Sequence, residues 1–375
     1  MIAASPQTSA RPPASGAPSG QVRVLVCDDS AVIRGLMTRM LESDPEIAVV
    51  GRVGNGRDAI EAVRQTRPDV CVLDIEMPVM DGLAALPGLL EADPGLRVVM
   101  ASTLTTRGAD IALRALRLGA ADYVPKPTST AAIAGEATFR DEIVAKVKGL
   151  GRQRLRARLG AAPAPRPAQR QAVALRPHAA LPPLVLAIGA STGGPQALFT
   201  LFAGLGRSLP VPVLLTQHMP ATFTPILAEH LDRIGGPPCA EAKEGEVPQP
   251  GRAYLAPGDT HLTVAAEAGT VRIRLTKSPP ENFCRPSVDP MLRSAVLAYG
   301  GRVLVAMLTG MGHDGLKGAE AVVAAGGRLI AQDEATSVVW GMPGAVTQAG
   351  LAAQVLPIGE IAAAVTASLG PGARA

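Results

Sequence analysis

Short apolar runs alternate with amphipathic stretches in two separate portions of the chain. In the first, Val22–Val26 is apolar with one charge and ends in Cys27-Asp28-Asp29. Ile33, Leu36, Met37, Met40 and Leu41 then recur at the i, i+3, i+4, i+7, i+8 spacing of one helix face. Four more apolar runs, Ile47–Val53, Val70–Leu73, Val98–Ala101 and Ala121–Val124, are joined by stretches of helical period. Such βα repetition predicts a parallel doubly wound sheet. The second portion opens with Leu184–Ile188 and contains the further strand candidates Val213–Thr216 and Val303–Leu308. The expected fold class is α/β, with two doubly wound parallel-sheet domains over residues 21–150 and 184–375.

Between the two lies a stretch, 151–183, with seven arginines, six prolines and no acid. Prolines favour extended chain, and with its many alanines and arginines the stretch cannot bury a core, so it reads as a Pro/Arg-rich linker. Residues 1–20, rich in Ala, Pro and Ser, read as a disordered tail rather than a signal peptide. The linker changes the meaning of the charge. Its seven positive charges exceed the net +4 of all 375 residues, so the remainder is net negative. With aromatics at 2%, base-stacking nucleic-acid modules are disfavoured as well. Four cysteines without CxxC spacing suggest neither zinc nor a disulfide framework. No run approaches the ~20 apolar residues of a membrane span, and a cytoplasmic location without membrane insertion is expected.

In parallel sheets, function gathers at the carboxyl ends of the strands. In the N-terminal portion these ends carry Asp28-Asp29, then Asp74 followed by Ile75-Glu76-Met77-Pro78, then Ser102-Thr103, then Lys126-Pro127. Crowded carboxylates call for a divalent cation, and oxygen ligands suit Mg²⁺. A hydroxyl and a lysine opposite them suit phosphoryl oxygens. Any one of these residues would be unremarkable as a helix cap; the full set in register is not. Residues 22–148 resemble a response-regulator receiver domain through DDS, LDIEMPVMDG, the hydroxyl after the fourth strand and KP after the fifth. The resemblance implies Asp74 as phosphoacceptor, with Mg²⁺ held by Asp28, Asp29, Asp74 and the Glu76 carbonyl. Ser102, or less favourably Thr103, and Lys126 would bind the phosphoryl group, and Lys126–Pro127 is a candidate cis peptide.

In the C-terminal portion, Leu184–Ile188 runs into Gly189-Ala190-Ser191-Thr192-Gly193-Gly194-Pro195. This is a G-x-S-x-G elbow between strand and helix, which exposes the serine hydroxyl. Serine needs a base. Of five histidines, His178 lies in the linker, His230 is expected on a solvated helix face and His261 begins a hairpin strand. His313 adjoins an aspartate. His218 ends the strand that follows the Ser191 helix, beside the elbow if the two strands are neighbours. Asp314, after the strand Val303–Leu308, is placed to orient it, and the glycine-rich backbone there could present an N–H to an oxyanion. The competing dinucleotide reading of GASTGG lacks full GxGxxG spacing and an acid at the end of the next strand.

Residues 184–369 resemble the catalytic domain of the chemotaxis protein-glutamate methylesterases, the CheB family. The matching segments are AIGASTGGP, QHMP, YLAPGDTHL, RPSVDPM, MLTGMGHDG, AQDEATS and GMP. This implies a Ser191, His218 and Asp314 triad with the Met311 N–H in the oxyanion hole, and no cofactor for the esterase. Arg285 would lie near a substrate groove, although an Arg285–Asp289 ion pair explains the motif equally well. The implied activity is phosphorylation-activated demethylation of glutamate methyl esters, and deamidation of glutamines, on chemoreceptors, with a chemotaxis histidine kinase as phosphodonor. A DNA-binding response regulator would instead need a basic recognition helix, and a catalytically dead scaffold would not need the Ser/His/Asp set.

Overall fold

A computed structural model describes residues 20–103, 105–126, 137–159 and 181–370. The N-terminal sheet is formed by β1 (Val22–Cys27), β2 (Ile47–Val53), β3 (Val70–Asp74), β4 (Arg97–Thr103) and β5 (Asp122–Lys126). All pairings are parallel, in the order β2-β1-β3-β4-β5. Helices α1 (Ala31–Glu42), α2 (Gly56–Thr66), α3 (Gly82–Ala92), α4 (Thr106–Arg117) and α5 (Ala137–Arg158) accompany it. Strands β1, β3, β4 and β5 are largely buried because helices cover both faces, which is why they read as continuous apolar runs, whereas the edge strand β2 is only partly buried.

The second sheet has seven parallel strands in the order β14-β13-β12-β6-β7-β9-β8. They are β6 (Val185–Ala190), β7 (Val213–Gln217), β8 (Cys239–Glu241), β9 (Ala253–Leu255), β12 (Val303–Met307), β13 (Arg328–Gln332) and β14 (Gln354–Leu356). An antiparallel hairpin, β10 (His261–Glu267) and β11 (Thr270–Thr276), stands apart, with His261 opening it as expected. The helices are α6 (Gly194–Gly204), α7 (Thr224–Arg233), α8 (Val288–Tyr299), α9 (Leu316–Ala324), α10 (Met342–Gln348) and α11 (Ile358–Leu369). The chain builds outward from β6 through β7 on one side, then returns to add β12 on the other. The crevice at such a switch lies over the ends of β6 and β12.

Two expectations need correction. Residues 151–158 are not linker: they are the last turns of α5. Phe139, Ile143, Val147 and Leu150 form its buried face at helical spacing. Its arginines find acids on the sheet domain, Arg154 pairing with Asp93 at 2.9 Å and Arg158 with Asp69 at 3.4 Å. An arginine-rich composition therefore disguised an amphipathic helix. Nor is His230 solvated: it is buried, with Nε2 at 3.1 Å from Asp110 on α4. The tail, most of the linker with His178, and Pro127 lie outside the described residues.

The His230–Asp110 contact belongs to an interface between the domains. Tyr123 on β5 stacks on Phe223, ring centroids 4.5 Å apart. Gln196 on α6 donates from Nε2 to Leu116 O at 2.9 Å and also to Ala120 O. On α5, Gly149 faces Val339, and Val338 and Val339 pack against the N-terminal core. A cavity of about 820 Å³ lies along this seam, lined among others by Lys148, Arg152, Met311 and Trp340. Among the described residues no helix is long and apolar enough to cross a membrane.

Candidate active site

In the N-terminal domain, Asp28, Asp29 and Asp74 bring one carboxylate oxygen each to within 4.8 Å of one another. They come from the ends of β1 and β3, which adjoin at the switch in strand order. Lys126 Nζ lies 2.5 Å from Asp28 Oδ2 and 2.6 Å from Asp74 Oδ1. Burial pushes the Asp74 carboxyl up to about 6, against the opposing pull of Lys126. Ser102 is buried near the end of β4, the strand between β3 and β5, with its hydroxyl donating to Thr103 O at 3.2 Å, while Thr103 is exposed. Three hard oxygen donors with a surplus of negative charge fit Mg²⁺. Glu76 stands two residues beyond Asp74, on the loop that follows β3.

In the C-terminal domain the ends of three adjacent strands, β12, β6 and β7, converge. Ser191 follows β6 directly, its N–H donating to Thr309 O at 3.0 Å across to the β12 end. Its carbonyl accepts from Gly194 N at 2.7 Å and from Gln217 Nε2 at 3.0 Å. The elbow turns on Gly193, whose φ of +74° suits glycine and where any side chain would collide with Val338. Pro195 sits in the first turn of α6. Gly310 passes so close to Ser191 that a Cβ there would lie 3.0 Å from the serine Cβ, and Met311 is the next residue along the chain.

His218 is carried to the elbow by β7, and its N–H donates to Ala190 O at 3.2 Å. Its ring bonds Asp314 Oδ2 through Nε2 at 2.7 Å. The other ring nitrogen, Nδ1, is 3.4 Å from Cys284 Sγ. Among the described residues no hydrogen bond joins the Ser191 hydroxyl to the ring, a looseness common before substrate closes such a site. His313 is exposed, and among the described residues no hydrogen bond joins its ring to this cluster.

Asp314 is held more thoroughly than the sequence suggested. It is buried and accepts from Ser287 Oγ at 2.7 Å, Val288 N at 2.6 Å, Asn282 Nδ2 at 2.8 Å and Gly315 N at 2.9 Å. Two of these donors, Ser287 and Val288, are the N-cap and first residue of α8, where the helix dipole favours an anion. Burial alone would raise its pKa, but His218 and these donors hold it well below the usual carboxylate range. Burial likewise disfavours the imidazolium of His218, yet the contacts with Asp314 and Cys284 together outweigh it and the pKa is raised.

The role of RPSVD is thereby revised. Asp289 accepts from Gly318 N at 2.6 Å and from Asn282 Nδ2 at 2.9 Å, so the Arg285–Asp289 pair does not form. Arg285 instead pairs with Asp259 of the APGD turn, Nε to Oδ1 at 2.9 Å, and donates to the carbonyls of Lys277 and Ser278. Ser287, Asn282 and Cys284 were missed as site residues. The serine directly before a helical run was a legible N-cap signal; nothing local to Asn282 or Cys284 announces contact with residues 32 or 66 positions away.

A protein-glutamate methylesterase/protein-glutamine glutaminase of Paramagnetospirillum magneticum is 54% identical over 359 residues, covering 91% of this chain and 94% of its own. The chain belongs to the CheB methylesterase family. The Azospirillum brasilense protein of the same description is 56% identical, covering 95% of each. The family model for CheB methylesterase matches residues 186–365, and that for the response regulator receiver domain matches 24–137. Among solved structures, the Thermotoga maritima CheB methylesterase catalytic domain is 42% identical over 49% of this chain and 98% of that one, TM-score 0.48. The response regulator domain of Thermotoga maritima CheB is 37% identical over 36% and 96%, TM-score 0.31. As members of the family do, the chain pairs a receiver domain with a hydrolase domain.

Proposed function

We propose that the chain is a phosphorylation-activated serine hydrolase. It demethylates glutamate γ-methyl esters, and deamidates specific glutamines, on methyl-accepting chemoreceptors. The observation that carries the reading is the His218–Asp314 pair standing at the ends of the strands that flank the Ser191 elbow. Ser191 Oγ attacks the ester carbonyl while His218 accepts its proton. The ring nitrogen for this is Nδ1, because Nε2 is committed to Asp314, and the Cys284 thiol 3.4 Å from Nδ1 gives way to the serine hydroxyl. The oxyanion is met by the Met311 N–H. His218 returns the proton to the leaving methanol, then activates water to release Ser191 from the acyl-enzyme. With a glutamine side chain the same steps release ammonia. The test is methanol release from methylated receptor, with and without a small phosphodonor; absence of release under both conditions rejects the reading.

The raised His218 pKa has a kinetic consequence. The base must be neutral, so activity is lost as pH falls through the folded-state value. The acid limb of kcat/KM should therefore have its midpoint above the ordinary imidazole value of about 6.5. A midpoint below that value would contradict the dominance of the Asp314 and Cys284 contacts over burial.

In the receiver domain, Asp28, Asp29, Asp74 and the Glu76 carbonyl would hold Mg²⁺, which when bound neutralises charge on phosphoryl oxygens. Asp74 is the acceptor, and Lys126 and Ser102 receive the phosphoryl group. A chemotaxis histidine kinase supplies it. With a phosphodonor and Mg²⁺, label should appear on Asp74 as a base-labile acyl phosphate and be missing from Asp74→Asn. Peptide mapping that places it on another residue of the wild type would refute the assignment.

A further inference from the structure

Between β11 and α8 the chain makes a tight turn at Glu281-Asn282-Phe283-Cys284. Cys284 N donates to Glu281 O at 2.9 Å and Glu281 N to Cys284 O at 3.1 Å. The two central residues are left-handed, with φ of 52° at Asn282 and 64° at Phe283. Asparagine tolerates this conformation; a bulky aromatic is disfavoured there, and glycine is the usual occupant. Nor is the cost of the conformation offset by burial, because Phe283 is 103% exposed. The residue is thus unfavourable both in its backbone and in its contact with water. Strain of this kind persists where function requires it.

The turn is fastened to the catalytic cluster on both sides of the phenylalanine. Asn282 Nδ2 reaches Asp314 Oδ1 at 2.8 Å, and Cys284 Sγ reaches His218 Nδ1 at 3.4 Å. Glu281 is in turn held by Arg293 on α8 at 2.6 Å. A solvent-facing aromatic ring is therefore displayed on a fastened turn, one residue from the side chain that touches the imidazole.

We propose that Phe283 is a substrate-docking residue. Its ring packs against apolar side chains on the receptor helix, one turn from the esterified glutamate, and so sets the ester over Ser191. The proposal rests on the methylesterase reading above. A glutamyl ester is a small, flexible handle that supplies little binding by itself, whereas its neighbours at i±3 and i±4 share its helix face and come within reach of a rim residue. A rigid aromatic gives large contact area for little lost entropy, which is why such residues dominate interface energetics.

The test compares methanol release from a methylated chemoreceptor cytoplasmic fragment with that from a short glutamyl-methyl-ester peptide. For Phe283→Ala and Phe283→Gly, kcat/KM on the receptor should fall about 10–100-fold relative to the peptide, chiefly through KM. Phe283→Trp should restore most of the loss. Phe283→Gly should at the same time raise Tm, because glycine accepts the left-handed backbone. A merely structural phenylalanine predicts the reverse: lower Tm and equal losses on both substrates. That pattern, or an unchanged receptor KM, overturns the proposal. So does sedimentation showing that the ring joins two copies of the chain while receptor KM stays constant. Failure of the wild-type enzyme on both substrates would instead reject the methylesterase reading itself.

Discussion

Ser191→Ala should abolish methanol release, with a loss in kcat of roughly 10³–10⁶-fold. The fold should survive, since the hydroxyl is half-buried and exchanging it costs about 1 kcal/mol or less. His218→Ala should be as damaging, and the double variant scarcely worse than either, because the groups act as a unit. Asp314→Ala is a different experiment. Its carboxylate gathers donors from Ser287, Val288, Asn282 and Gly315 besides His218. Removing it strands those groups in a buried place, at a cost of about 3 kcal/mol or more. Activity and Tm should fall together, so only the Ser191 and His218 variants separate chemistry from folding. A Ser191→Ala protein that keeps near wild-type turnover would end the serine-hydrolase assignment.

Removal of the receiver domain should raise basal esterase activity by roughly 5–150-fold, the range that about 1–3 kcal/mol of coupling provides. The architecture supplies the reason. Val338 presses on Gly193 at the serine elbow, while Val339 O accepts from Gly310 N at 3.0 Å beside the proposed oxyanion hole. The same two valines pack against α5 and the N-terminal core. One loop therefore touches both the regulatory helix and the catalytic turn, and a docked receiver biases its position as well as standing beside the cleft. Phosphorylation can act only through the difference in interaction energy between docked and released states. The cut must follow Arg158, because truncation at residue 150 would divide α5 and leave its last turns, 151–158, on the enzyme. Full-length protein with phosphodonor should rise similarly, and Asp74→Asn should stay low. If the truncated enzyme is no faster than unphosphorylated full-length protein on the same receptor, inhibition by docking is wrong.

Much of this molecule is written locally. Buried strands of a parallel sheet must be apolar on both faces, so β1, β3, β6, β7 and β12 are visible as runs, and the polar residues that stop each run mark the functional edge. The serine elbow is equally legible, since only glycine accepts its tight backbone. Beyond residue 150 only Leu155 carries the apolar face of α5 into the arginine-rich stretch, so the end of that helix is faint in the sequence. What local pattern does not record is which strand lies beside which. That β12 returns to flank β6 opposite β7 brings Asp314 to His218 across 96 residues. The same long-range packing docks α8 head-on against Asp314, folds the Asn282–Cys284 turn over the imidazole, and buries His230 beneath the receiver domain. Periodicity reports how each residue is solvated within its own element. Strand order and domain docking are set by the sum of distant contacts, and only the assembled tertiary structure decides them.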